Sequence, residues 1–133
     1  MFYYLNLKME ILHKAHFYNN QFIVYGHRGV PELCPENTIE SFEKAIELNY
    51  SGIELDVMQT KDKILIVHHD TVINFNNKKE NINQLEYSAL LETLPSLSTL
   101  ENVLDSVGHK TNINIEIKNQ GAGSSYAVNQ TIR

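Results

Sequence analysis

The chain has 133 residues, of which 42% are hydrophobic and 20% charged, with a formal net charge of -5. That is the composition of one globular domain with enough apolar residues for a core. It argues against non-specific nucleic-acid binding and against a polybasic membrane anchor. The longest apolar run, Met1 to Leu5, cannot span a bilayer. Lys8, Glu10, His13 and Lys14 interrupt any signal-peptide pattern, and the single cysteine, Cys34, excludes an internal disulfide. The expected compartment is the cytoplasm, with an exported protein lacking disulfides the alternative.

Residues 1–20 read as an extension in which Tyr4, Leu7, Ile11, Leu12, Ala15 and Tyr18 can share a helix face. From Gln21 a domain begins. Phe22-Ile23-Val24-Tyr25, ended by Gly26, reads as a strand buried on both faces. Pro35-Glu36-Asn37-Thr38 opens a helix, with Asn37 as N-cap and Glu40 in capping-box spacing. Ile39, Phe42, Ala45 and Ile46 form its buried stripe. Ile53-Glu54-Leu55-Asp56-Val57 alternates, so the apolar side chains and the two carboxylates take opposite faces of a strand.

Lys61-Asp62 is a turn and Ile64 to Val67 a second strand. The link is too short for a parallel crossover, so the two strands form an antiparallel hairpin. A two-residue loop sets Glu54 opposite His69, whereas a one-residue bulge favours His68. Thr71 to Asn83 reads as an exposed polar loop. Leu85 to Leu94 reads as a helix with Asn83 and Glu86 in capping-box spacing, stopped by Pro95. Ser98 and Glu101 repeat the box before a helix burying Leu100, Val103, Leu104 and Val107 and ending at Gly108. Asn112 to Lys118 alternates again, with Ile113, Ile115 and Ile117 on one face and Asn114, Glu116 and Lys118 on the other. The order is the βαβαβ rhythm of a parallel α/β sheet. Asn119 to Arg133 reads as a loop with Gly121 and Gly123, then the start of a helix.

Chemistry concentrates at the carboxyl ends of the strands, where such sheets bind ligands. Glu54, Asp56 and Glu116 on one lining would repel one another, and a hard divalent cation, Mg²⁺ or Ca²⁺, resolves the repulsion. His27 and the His68-His69-Asp70 segment offer proton carriers, and Arg28 and Lys118 offer charge for phosphate oxygens. A metal, two imidazoles and two cations suit cleavage of a phosphodiester. Each of these residues singly is as well explained by a solvated strand face or a surface ion pair.

As an ordered set, His27-Arg28-Gly29, Pro35-Glu36-Asn37-Thr38 with Ser41-Phe42, Glu54-Leu55-Asp56-Val57, Thr60-Lys61-Asp62, His69-Asp70 and Ile115-Glu116-Ile117-Lys118 resemble the glycerophosphodiester phosphodiesterase signature. The resemblance spans about Phe22 to Lys118. It implies a TIM-barrel-like (β/α)₈ fold and metal-dependent hydrolysis of glycerophosphodiesters to glycerol 3-phosphate and an alcohol, in lipid metabolism. It implies His27 and His69 as the acid–base pair, Glu54, Asp56 and Glu116 as ligands of Mg²⁺ or Ca²⁺, and Arg28 and Lys118 as phosphate-binding. It also implies that a hydroxyl of the substrate's own glycerol attacks phosphorus, giving a cyclic phosphate that water opens.

Lys63 stands where the family's turn usually has glycine. Eight βα units need about 250 residues, so a chain of 133 is expected to hold about three barrel strands, residues 21–133 forming a partial, truncated domain of low stability and activity. Two further readings are compatible: a non-catalytic remnant or half of a split enzyme whose missing strands a second chain supplies, and a related phospholipase D-like barrel acting on sphingomyelin or lysophospholipid. The Pro35-Glu36-Asn37-Thr38 motif favours the phosphodiesterase.

Overall fold

The computed structural model describes residues 23–118. The expected helical extension of residues 1–20, Phe22 and the loop and helix start after Lys118 lie outside these residues. Three parallel strands carry the architecture: β1 (Tyr25–His27), β2 (Gly52–Gln59) and, last in the chain, β7 (Asn112–Ile117). Helix α1 (Ile39–Glu47) connects β1 to β2. Between β2 and β7 come β3 (Leu65–Val67), β4 (Val72–Phe75), β5 (Lys78–Asn81), a 3₁₀ turn (Ile82–Gln84), α2 (Tyr87–Thr93), β6 (Ser98–Thr99) and α3 (Leu100–Val107).

Strand β2 is the keel. All eight of its residues are buried, because it has neighbours on both edges and matter on both faces. Along one edge β7 runs parallel, with Ile53 beside Ile113 and Asp56 beside Glu116. The opposite edge is shared by two short strands. Strand β1 pairs in parallel with Gly52 to Glu54, and β3 pairs antiparallel with Val57 to Gln59. The two therefore point at each other, and their carboxyl ends meet beside Asp56. Ile53, Leu55 and Val57 pack against Phe42 and Ala45 of α1 and against Leu100, Val103 and Val107 of α3, as the alternation predicts. The acids face the other way. A second apolar cluster of Met58, Ile66, Ile73, Ile82, Leu90 and Leu97 fixes the β3–β6 excursion.

Several local expectations are corrected. The first strand lies three residues later than expected. Ile23 is 67% exposed and Tyr25 39%, and Gly26 sits inside the strand, where a Cβ would meet the Gly29 carbonyl oxygen at 2.5 Å. The cap of α1 is Thr38, whose hydroxyl accepts from Ser41 N–H. Asn37 is drawn away to Asp56, so the Asn37–Glu40 box does not form. The hairpin loop spans residues 60–64 rather than two residues, which pairs Val57 with Val67. Residues 71–83 are not a loop: β4 and β5 form a hairpin turning through Asn76 (φ 49°) and Asn77 (φ 62°). Paired positive φ angles match the right-handed strand twist, and asparagine tolerates them.

Helix α2 starts at Tyr87, and the remote Asp62 carboxylate, rather than Asn83, accepts from its first N–H. Helix α3 is capped by Thr99, which accepts from Asn102 N–H, because Ser98 is paired with Val67. Leu104 is left 40% exposed. Among the described residues, no helix is long and apolar enough to cross a membrane.

Candidate active site

The head-to-head arrangement of β1 and β3 explains how residues far apart in sequence converge. His27 ends β1 and Arg28 begins the turn after it. His68 follows β3, and its N–H donates to the Asp56 carbonyl oxygen at 3.0 Å. The observed register thus sets residue 68 across from Asp56, where a two-residue loop would have set His69 across from Glu54. Strand β7 brings Glu116 beside Asp56 from the other edge, and the Lys118 N–H donates to the Val57 carbonyl oxygen at 2.9 Å.

The turn after β1 is held by α1. Arg28 adopts φ 56° and Gly29 φ 89°. A side chain on Gly29 would lie 2.2 Å from Ser41 Oγ, so only glycine fits. The buried Ser41 hydroxyl accepts from Val30 N–H at 2.8 Å and donates to the Arg28 carbonyl oxygen at 3.3 Å. Arg28 N–H then donates to Glu54 Oε2 at 3.1 Å. The backbone strain of a non-glycine residue at positive φ costs about 1–3 kcal/mol, and these fixed bonds hold it in place.

Glu54, Asp56 and Glu116 each offer one carboxylate oxygen such that all three lie within 4.8 Å of one another. Asp56 is fully buried. Its Oδ2 accepts from Asn37 Nδ2 at 2.8 Å and lies 3.3 Å from Arg28 Nε. Its Oδ1 lies 2.8 Å from Lys118 Nζ, at ion-pair distance but off hydrogen-bond alignment, so this buried oxygen has no directed donor. Lys118 Nζ also donates to Glu116 Oε1 at 2.6 Å. Burial alone would push the Asp56 carboxyl up, but the Lys118 ammonium and the Asn37 amide outweigh it and hold the carboxyl below its ordinary value. For Lys118, burial would lower the ammonium, and the Asp56 and Glu116 carboxylates raise it instead. Three converging carboxylates, one of them with a buried oxygen that meets the Lys118 ammonium at 2.8 Å without an aligned hydrogen bond, are a donor set that fits a hard divalent cation.

Arg28 is also engaged, its Nη1 donating to both oxygens of Glu36 at 3.3 and 3.2 Å. His27 is exposed, with Nε2 at 3.9 Å from Glu54 Oε2. His69 Nδ1 donates to Asp70 Oδ1 at 2.8 Å, because a carboxylate can only accept; in the neutral imidazole this sets the tautomer in which Nε2 carries the lone pair. Burial pushes the neighbouring His68 imidazole down, opposed by the Asp70 carboxylate. The seven candidate residues therefore lie along the middle of β2 and at the carboxyl ends of β1, β3 and β7 that flank it. Asn37, Ser41 and Glu36 belong to the same constellation. Sequence pattern alone casts Asn37 as a helix cap, and only its place in the family motif points to more.

The sequence profile of the glycerophosphoryl diester phosphodiesterase family matches residues 27–129. A glycerophosphodiester phosphodiesterase of Bacillus altitudinis is 37% identical over 110 residues, covering 72% of this chain and 45% of the relative. The crystal structure of the Thermotoga maritima glycerophosphodiester phosphodiesterase superposes with a TM-score of 0.71 at 37% identity, covering 84% of this chain and 49% of that one. That of the Parabacteroides distasonis enzyme gives 0.67 at 30% identity, covering 82% and 48%. The chain thus spans about half the length of these relatives. Strands β1, β2 and β7, with α1 between the first two and α3 leading into the third, follow the alternating order of the same TIM-barrel architecture, and the chain belongs to the glycerophosphoryl diester phosphodiesterase family.

Proposed function

We propose that this chain carries the metal-binding and acid–base part of a site that hydrolyses glycerophosphodiesters to glycerol 3-phosphate and an alcohol. The observation that carries the reading is the convergence of Glu54, Asp56 and Glu116 within 4.8 Å beside two imidazoles and two fixed cations. Glu54, Asp56 and Glu116 hold Mg²⁺ or Ca²⁺, which when bound supplies positive charge to the phosphoryl oxygens. The substrate phosphate lies against Arg28 and Lys118, which spread its charge.

His69, with Nδ1–H committed to Asp70, has Nε2 free to take a proton, and His27 is its counterpart. One imidazole takes the proton of the attacking glycerol hydroxyl as its oxygen bonds to phosphorus. The other gives a proton to the alkoxide as its bond to phosphorus breaks. Water then opens the cyclic phosphate, returning both histidines to their starting states. The setting we infer is the cytoplasm. The relatives are about twice as long, which favours a barrel completed by further polypeptide, including a second chain.

The test is release of glycerol 3-phosphate from glycerophosphocholine, with and without chelator, by wild type and His27→Ala. Hydrolysis lost in both the chelated and the mutant samples is the expected result. A rate indifferent to both would remove the mechanism.

A further inference from the structure

Asn37 follows the proline of the β1–α1 loop at φ 56°, a conformation that asparagine tolerates better than most residues. It is 4% exposed, and its backbone N–H and both side-chain amide groups bond to residues of the site. Its backbone N–H donates to the Arg28 carbonyl oxygen at 3.0 Å. Its side-chain Oδ1 accepts from Asp56 N–H at 3.3 Å, and its Nδ2 donates to Asp56 Oδ2 at 2.8 Å. The amide thus grips the backbone and the carboxylate of one residue together. That fixes its flip state and the carboxylate's rotation about Cβ–Cγ. The two oxygens of Asp56 become inequivalent: Oδ2 is committed to Asn37, while Oδ1 has no aligned donor and lies 2.8 Å from Lys118 Nζ.

We propose that Asn37 is the positioning residue of this site, fixing Asp56 so that Oδ1 is the oxygen presented to a divalent cation, and tying that carboxylate to the Arg28 turn. The inference rests on the cation-binding reading above. Asn37 touches neither cation nor substrate. Its effect passes through Asp56, and supporting hydrogen bonds of this kind are worth about 10–100-fold in metal affinity.

The discriminating variant is Asn37→Gly. Glycine accepts the positive φ at no steric cost and keeps the N–H bond to Arg28, so only the amide is lost. Calorimetric titration of the full chain with Mg²⁺, and separately with Ca²⁺, is read beside its thermal midpoint. The expected result is about 10–100-fold weaker binding with the midpoint moved by only a few degrees. Wild-type affinity in Asn37→Gly overturns the inference while leaving the functional reading intact. If wild type itself binds neither cation, the functional reading fails, and with it this inference.

Should the variant fail to fold, the same question is put to the wild-type chain by NMR. Slow solvent exchange of the Asn37 side-chain amide protons, with a resonance shift on adding Mg²⁺, supports the proposal. Exchange at the rate of an exposed amide, without a shift, overturns it.

Discussion

Lys118 Nζ lies 2.8 Å from Asp56 Oδ1 and bonds Glu116 Oε1 at 2.6 Å, so one ammonium bridges two of the three carboxylates that would hold a cation. Around it Glu36, Glu54, Asp56 and Glu116 face, among the described residues, only Arg28 and Lys118 as fixed positive charges. The cluster is negative, and a divalent cation would balance it. Removing Lys118 deepens the imbalance at a buried carboxylate. Breaking such a pair from one side costs about 3 kcal/mol. Lys118→Met should therefore melt earlier than wild type in chelator, and Mg²⁺ should raise its midpoint by more than it raises that of wild type. Thermal melts of both proteins with chelator and with excess Mg²⁺ check this. Equal Mg²⁺ shifts would show that Lys118 and the cation do not share the same oxygens.

Gly29 is the residue on which the β1–α1 turn closes. Its φ is 89°, and a Cβ there would lie 2.2 Å from Ser41 Oγ and 2.8 Å from Ser41 Cβ. Gly29→Ala adds overpacking to a backbone conformation that alanine avoids, together roughly 2–4 kcal/mol. Ser41 must also give way, releasing the bonds to Arg28 and Val30. Urea unfolding should show this loss, and a midpoint within error of wild type would mean that the turn relaxes freely.

Much of this arrangement was readable from the chain. The alternation of Ile53 to Val57 places its acids opposite its apolar face, and the same pattern at Asn112 to Lys118 places Glu116 likewise; a period of two is robust because a slip would bury charge against α1 and α3. The features that escaped are those decided by distant partners. Asn37 reads as a cap until Asp56, nineteen residues away, outbids the helix for its side chain. Thr38 then caps instead. Asp62 reads as a turn residue, yet its carboxylate caps α2. The β4–β5 hairpin hides because Lys78-Lys79-Glu80-Asn81 has no apolar alternation, although Val72 to Phe75 followed by Asn76-Asn77 carries a type I′ turn signal.

Asp62 gives a pH test away from the metal ligands. Its Oδ1 accepts from Thr60 Oγ1 at 2.6 Å and from Tyr87 N–H at 3.1 Å. Partial burial opposes these bonds, but they win, and the carboxyl is held below its ordinary value. A depressed folded pKa means that the charge stabilises the fold above the unfolded value, near 3.9, and that this is lost as pH falls through the folded value. Asp62→Asn keeps an acceptor and removes the charge. At an exposed helix start this should cost about 0.5 kcal/mol at pH 7. The gap should close as pH drops below about 4. A gap that persists unchanged in acid would assign the effect to shape rather than charge.

Lys63 takes φ 70° in the loop between β2 and β3, a conformation that favours glycine. Its backbone is already committed: Lys63 N–H donates to the Thr60 carbonyl oxygen at 3.1 Å, and the Lys63 carbonyl oxygen accepts from Gln59 Nε2 at 3.5 Å. Glycine keeps both contacts and removes the clash of Cβ with the following carbonyl, about 1–2 kcal/mol, less its own greater chain entropy in the unfolded state, about 0.5–1 kcal/mol. Lys63→Gly should therefore stabilise by about 0.5 kcal/mol, a sign opposite to that of glycine introduced elsewhere in a loop. Paired urea titrations of Lys63→Gly and Lys61→Gly separate the two cases. If both variants lose stability equally, the positive φ at residue 63 carries no strain.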